Sequence, residues 1–209
     1  MEFELSQMEV ADRYKLMAAS ITPRPIAWVS TLSSEGVRNA APYSFFNMMS
    51  ADPPLLVLGM MQRPDGSYKD SAQNILDTGE FVVNLVSEED AEAMNFSCID
   101  APPEFDELEQ GNIATVPSVD VAAPRIASAP VSMECRLYKK VEAGVSTIVL
   151  GEVVRLHIAE PFIDTDNLHV DAVAMQLVAR MHGAGWYTRS TDRFQMARPT
   201  YADWLKDQK

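Results

Sequence analysis

Cysteine is scarce: Cys98 and Cys135 are the only two in 209 residues, far apart and in no C-x-x-C arrangement. A disulfide framework is excluded, and the pair points to a reducing compartment, each thiol being read as a small buried hydrophobe rather than a redox group. Basic residues are outnumbered, 17 Lys and Arg against 30 Asp and Glu, for a formal charge of -13. Nucleic acid and anionic membranes repel such a surface, which excludes both as general partners. No apolar run approaches the ~20 residues of a membrane span. The start, M-E-F-E-L-S-Q-M-E-V, lacks the basic residues and apolar stretch of a signal peptide, so the expected location is cytoplasmic. Metal-ligand spacings are absent too: His157, His169 and His182 form no compact set. Asp164-Thr165-Asp166 fails as a calcium loop, with His169 where Gly is required and Met175 where Glu is required. There is no P-loop and no G-x-S-x-G elbow, and Gly183-Ala184-Gly185 meets Thr188 where the third glycine of a dinucleotide fingerprint would fall.

Hydrophobic residues make up 47% of the chain, enough for one domain over residues 1–209 with a substantial core. Its organising stretch is Thr22 to Asn47. Two runs of strand character, Ile26 to Leu32 and Val37 to Phe45, flank the turn-like Ser33-Ser34-Glu35-Gly36 and predict a β-hairpin. The second arm is unusual: Asn39-Ala40-Ala41-Pro42 offers little side-chain area, and Pro42 removes a ladder donor. Such a segment is either an edge strand interrupted by proline or a place where something flat lies against the backbone.

Elsewhere the pattern predicts a weak helix near Ala11 to Ala19 and a strand at Leu55 to Gly59 covered on both faces. A short helix follows, starting capping-box fashion at Asp70 and ending at Gly79, with Ala72, Ile75 and Leu76 inward. Phe81 to Val86 reads as a strand and Glu88 to Phe96 as a surface helix over Ala91 and Met94. Asp100 to Pro130, rich in proline and acids, reads as an irregular excursion. Val131 to Val141 and Ser146 to Ile158 form a long hairpin, with Ile148, Leu150, Val153, Leu156 and Ile158 as the patterned face of the second arm. Asp171 to Val178 reads as a helix, and the end as polar. Strands outnumber helices without a βαβ rhythm, giving a mainly β, mostly antiparallel barrel with accessory helices. His157, in a strand, reads as a satisfied structural histidine.

The blocks P-R-P-I-A-W-V-S-T and N-A-A-P-Y-S-F-F-N, then Lys69-Asp70-Ser71-Ala72-Gln73-Asn74-Ile75, Gly79 to Asn84 and Gly151-Glu152-Val153-Val154, resemble the flavin reductase-like proteins. This is an FMN-binding split β-barrel group that includes flavoredoxin and the reductase components of two-component monooxygenases. The resemblance runs from about Met17 to Tyr187. It implies FMN held non-covalently, with NADH or NADPH as transient electron donor. It also implies a homodimer, and a monooxygenase or another electron-transfer protein as partner.

By the same resemblance Lys69 and Ser71, at a helix start whose free N–H groups suit an anion, hold the phosphate. Ser71 stands where Thr is more usual and keeps the hydroxyl. Ser44, Phe45, Phe46 and Asn47 lie along the ring and ribityl chain, with Ser30, Thr31, Ala41 and Pro42 lining the approach; strand alternation lets only one of the two phenylalanines face the ligand. Arg24, held extended between Pro23 and Pro25, either adds charge at the phosphate or pairs with a surface acid. The family's Gly-rich turn of the Arg-Leu-Gly-Gly type is altered here, His182 taking the place of its first glycine; His182 and Trp186 either approach the nicotinamide or anchor the loop. The implied reaction is hydride transfer from nicotinamide to flavin N5, which needs no protein nucleophile. The alternative is a flavoredoxin-like carrier that keeps FMN and takes electrons from a partner protein, with the acidic surface as docking charge.

Overall fold

The predicted hairpin is present. Ala27–Leu32 and Arg38–Tyr43 pair antiparallel with Trp28 opposite Pro42, and Ser33 N donates to Val37 O at 2.8 Å across a turn in which Gly36 takes φ 85°. This computed structural model describes residues 1–206. In chain order its helices are α1 (Val10–Ser20), α2 (Asp70–Thr78), α3 (Ala91–Phe96), α4 (Glu107–Gln110) and α5 (Tyr201–Lys206). The strands begin with β1 (Arg24–Pro25), β2 (Ala27–Leu32), β3 (Arg38–Tyr43), β4 (Phe46–Ala51), β5 (Pro54–Met61) and β6 (Glu80–Leu85). They continue with β7 (Thr115–Val116), β8 (Arg125–Ile126), β9 (Val131–Ala143), β10 (Ser146–Ile158), β11 (Ile163–Asp164), β12 (His169–Val170), β13 (Val178–Arg180) and β14 (Tyr187–Arg189). Among the described residues no helix is long and apolar enough to cross a membrane.

Seven strands form one antiparallel sheet in the order β3-β2-β6-β9-β10-β5-β4. Its outer strands, β3 and β4, are separated in sequence by Ser44 and Phe45 alone, a link that spans at most roughly 11 Å. The sheet must therefore roll until its edges meet. At the seam Gly59 N donates to Phe45 O at 2.7 Å, but β3 and β4 do not pair, so the barrel is split there. Edge position also explains why β3 tolerates Pro42: a missing N–H costs no ladder bond on an open side.

Inside the roll, Val29, Leu58, Phe81, Val83 and Val149 pack with Ile75 of α2. On the outside, Trp28, Val86, Met94, Leu108 and Ile126 form a second core beneath the 91–130 excursion, with Trp28 Nε1 donating to Ser97 Oγ at 2.9 Å. Two buried polar side chains fasten that excursion. Asn84 donates to Trp28 O and Ser30 Oγ and accepts from Ile126 N and Ser132 Oγ. Glu134 accepts from Val119 N and Asp120 N and lies 2.6 Å from His157 Nε2, so His157 is the satisfied strand histidine its sequence context predicts.

Five expectations are corrected. In β10 the buried phase is Thr147, Val149 and Gly151, opposite to the predicted Ile148 and Leu150 face, which is half-buried; inside the roll Gly151 leaves room for the Phe81 ring. β5 buries only Leu56, Leu58 and Met60 fully, because its other face lies outside the roll. The predicted helix over 171–178 is absent: residues 172–176 form turns, Asp171 Oδ1 accepts from Val173 N and Ala174 N, Gln176 takes φ 47°, Leu177 is bridged to Ser87, and Val178 opens β13. The end carries exposed aromatics, with Tyr201 stacked on Trp204 in α5. Cys135 is buried, but Cys98 is exposed.

Gly151 is required for packing. A Cβ there would sit 2.4 Å from Phe81 Cζ and 3.1 Å from its Cε1, and a ring fixed in the barrel core has no room to retreat. Gly151→Val is expected to destabilise the fold by about 2 to 3 kcal/mol; chemical denaturation should show a lower midpoint, and an unchanged midpoint would refute the packing argument.

Candidate functional site

A cleft runs along the outer end of β3, where Ala41 and Pro42 are too small to fill it. At its deep end, about 210 Å³, Asn39 and Ala41 face Lys69, Asp70 and Ser71 of the α2 start, with Cys98 to Asp100 along the rim and Glu107 in the floor. Pro42 and Tyr43 continue it into a hollow of about 230 Å³ lined by Tyr14, Ser44, Phe45, Gly59 and Met61. They also line a further hollow of about 320 Å³ bounded by Met94, Cys98, Arg180, Gly185 and Tyr187.

The deep end is built for an anion. The first intrahelical donor of α2 is Gln73 N, bonded to Lys69 O, so the N–H groups of Asp70, Ser71 and Ala72 are left over at the helix start. Asp70 does not cap them, contrary to the capping-box reading: Lys69 is the N-cap, and the Asp70 carboxylate is held by Arg63 Nη2 at 3.0 and 3.1 Å. Lys69 is exposed and has no acidic partner among the described residues. Gly79, at φ 73°, ends the helix as predicted.

Behind this end lies a buried polar cluster in which Asn39 Nδ2 donates to Ser71 Oγ at 2.7 Å and Asn74 Nδ2 to Thr31 Oγ1 at 3.0 Å. Glu107, 5% exposed, accepts from Ala40 N at 3.2 Å, and burial holds its carboxyl above the ordinary range. Burial pushes the Tyr43 phenol up to about 12, so it carries its proton at neutral pH. Partial burial of the Cys98 sulfur raises that thiol as well.

The sequence-selected residues fall into four groups. Ala41, Pro42, Ser44, Phe45, Lys69 and Ser71 line the cleft and its hollows. Ser30 and Thr31 are fully buried behind it, Ser30 donating to Pro124 O at 2.5 Å. Arg24 does not line the deep end, and neither predicted role for it matches its contacts. Its guanidinium donates to Ala18 O, Ile21 O and Met181 O and, through Nε, to Ser44 Oγ, tying α1 and β13 to the seam. The two phenylalanines diverge as alternation requires: Phe45 lies 6.2 Å from Tyr14, ring to ring, while Phe46 packs on the barrel core. Asn47 is exposed on β4. Phe46 and Asn47 border an apolar groove of about 490 Å³ between α1 and β4. It touches the cleft only through Tyr14, Ser44, Phe45 and Met61.

Sequence reasoning missed Glu107, one acid among many in an irregular stretch. In the 180–187 turn it weighed His182 and Trp186 rather than Arg180 and Tyr187. Arg180 and Tyr187, the guanidinium 4.9 Å from the ring, face the wider hollow, while His182 and Trp186 are exposed and line none of the three spaces. The signal was present in the Arg and Tyr that bracket the Gly-rich turn.

Comparison with known proteins fits this geometry. A profile described as "Flavin reductase like domain" matches residues 18–173. An uncharacterized protein of Deinococcus radiodurans is 43% identical over 207 residues, covering 97% of this chain and 91% of its own. Among solved structures, 2-nitrobenzoate 2-nitroreductase NbaA of Pseudomonas fluorescens superposes with a TM-score of 0.87 at 37% identity, covering 96% of this chain and 98% of that one. Nitrilotriacetate monooxygenase component B of Bacillus cereus gives 0.89 at 30% identity, with coverage of 94% and 98%.

Proposed function

Because the chain belongs to the flavin reductase like domain family and is thereby a flavin-binding oxidoreductase, we propose that its flavin is FMN and that NADH or NADPH is the electron donor. The observation that carries the cofactor assignment is the deep end of the cleft. Unused helix N–H groups, the Ser71 hydroxyl and Lys69, which pairs with no acid among the described residues, converge there, a donor set that fits one phosphate monoester. Glu107 in the floor disfavours a second phosphate close by. Along β3, Ala41 and Pro42 leave a flat wall for a ring, and Ser44 and the nearby backbone offer polar groups to its rim. When bound, the flavin supplies the hydride-accepting centre, so the protein's task is to align two rings and exclude water. Tyr43, protonated and set between the hollows, and Phe45, at the seam, border the space a nicotinamide would enter.

The test is to load the protein with FMN anaerobically, add NADH or NADPH, and follow the visible flavin absorbance. Bleaching by either donor, with repeated turnover on added flavin, is expected. Bleaching only through a reduced partner protein would support the carrier alternative, for which the charge of -13 supplies a docking surface. Protein that takes up no FMN would overturn the whole reading.

A homodimer belongs to the same proposal. The edge strand β4 presents Met48 and Met49, 66% and 54% exposed, beside the apolar groove and the exposed Met17 of α1 and Ile21 just after it, a patch that suits an interface between two copies. Light scattering is expected to give twice the monomer mass at micromolar concentration, and Met49→Asp to shift the protein toward monomer; a wild-type monomer would refute this.

A further inference from the structure

Behind the deep end of the cleft, Asn39 Nδ2 donates to Ser71 Oγ at 2.7 Å and, at 3.4 Å, to Thr31 Oγ1. Thr31 also accepts from Asn74 at 3.0 Å. All four side chains are at least nine-tenths buried: Thr31 0%, Ser71 1%, Asn39 6% and Asn74 8% exposed. Asn39 and Ser71 line the cleft, while Thr31 and Asn74 do not.

A serine hydroxyl has one proton and two acceptor positions. Asn39 fills an acceptor position of Ser71, which directs the proton away from the amide. Among the described residues no carbonyl or carboxylate accepts that proton in a hydrogen bond. The Tyr43 phenol hydrogen-bonds with Ser71 and carries its own proton; donated to the second acceptor position of Ser71, that proton leaves the Ser71 hydroxyl to point into the cleft that Ser71 and Asn39 both line.

We propose that Asn39 is a positioning residue: by donating to Ser71 it turns the Ser71 hydroxyl into a donor aimed into the cleft, so that the site selects an acceptor-only phosphate over a neutral ligand ending in a hydroxyl. This rests on the reading that a flavin phosphate lies at the α2 start. It assigns to Asn39 a contribution to phosphate affinity exerted through Ser71.

The test compares FMN with riboflavin, which lacks the phosphate, by fluorescence titration of full-length apoprotein. The ratio of the two dissociation constants is measured for wild type, Asn39→Ala, Ser71→Ala and the double variant. Each single variant is expected to lower the FMN preference about tenfold, and the double variant by the same tenfold rather than about a hundredfold, because both remove one oriented donor. Asn39→Asp, nearly unchanged in shape, serves if the alanine variant does not fold. Placed on Ser71→Ala, it keeps its added charge but has no hydroxyl left to misdirect, so the part of its effect that vanishes there reports orientation. A wild-type-like preference in Asn39→Ala, or losses that multiply, would overturn the proposal while leaving the phosphate reading intact. A wild type with no preference for FMN over riboflavin would remove both.

Discussion

Asn84→Leu is expected to destabilise the protein by about 3 to 5 kcal/mol, a large part of the 5 to 15 kcal/mol typical of a whole domain. Asn84 is fully buried in β6 and satisfies four partners: its amide nitrogen donates to Trp28 O at 3.0 Å and Ser30 Oγ at 3.1 Å, and its oxygen accepts from Ile126 N at 3.0 Å and Ser132 Oγ at 2.9 Å. Leucine has the same number of side-chain heavy atoms and the same branch point, so the loss would come from desolvated partners rather than a cavity. The two serine hydroxyls can turn to new partners, but Ile126 N–H cannot, and its loss frees the strand that closes the outer core. Asn84→Asp retains the acceptor and should cost less than leucine if the Ile126 bond dominates. Urea melts with an unchanged slope and a lower midpoint would show the effect; a loss below about 1 kcal/mol would mean that the excursion is held by its apolar contacts alone.

Lys69→Glu should weaken FMN binding about a hundredfold or more, near 3 kcal/mol, while changing riboflavin affinity little. The substitution replaces the unpaired cation at the α2 start with an anion that repels a phosphate. Stability provides the control. Lys69 is exposed and makes no ion pair among the described residues, and a carboxylate at a helix start is favoured by the helix dipole, so the melting midpoint should hold or rise slightly. Salt should narrow the gap between the two proteins, since exposed charges are screened. Equal FMN affinity in both, with the fold intact, would place the phosphate elsewhere.

Much of the fold was legible because local chemistry decided it. The two-period runs around Ser33 to Gly36, the turn itself, and the helix closed by Gly79 depend on side-chain spacing and backbone freedom within a few residues. The family blocks named the split barrel by resemblance, and Lys69 with Ser71 could be set at one helix start because adjacent positions stay adjacent. What failed depended on distant neighbours. Residues 171–178 carry helical character, yet Leu177 and Val178 are claimed by Ser87 and Val86, and a sheet edge far away in sequence outweighed local preference. The alternating apolar residues of β10 marked the correct period but the wrong face, because only the roll of the sheet shows which face is inside.

By itself, then, the sequence determined the order of elements, the split-barrel family, the acidic surface and the lysine and hydroxyl at the α2 start, all set by neighbours along the chain. The tertiary structure decided which candidates share a cleft. It drew Arg24 to three carbonyls, set Ser30 and Thr31 behind the wall, and brought Asn39 against Ser71 across 32 residues. It also placed Glu107, which no motif had marked, in the floor of the cleft, and set Arg180 and Tyr187 against the wider hollow. These outcomes follow from the closure of a seven-stranded sheet through the Ser44–Phe45 link, a constraint in three dimensions that spacing along the chain does not encode.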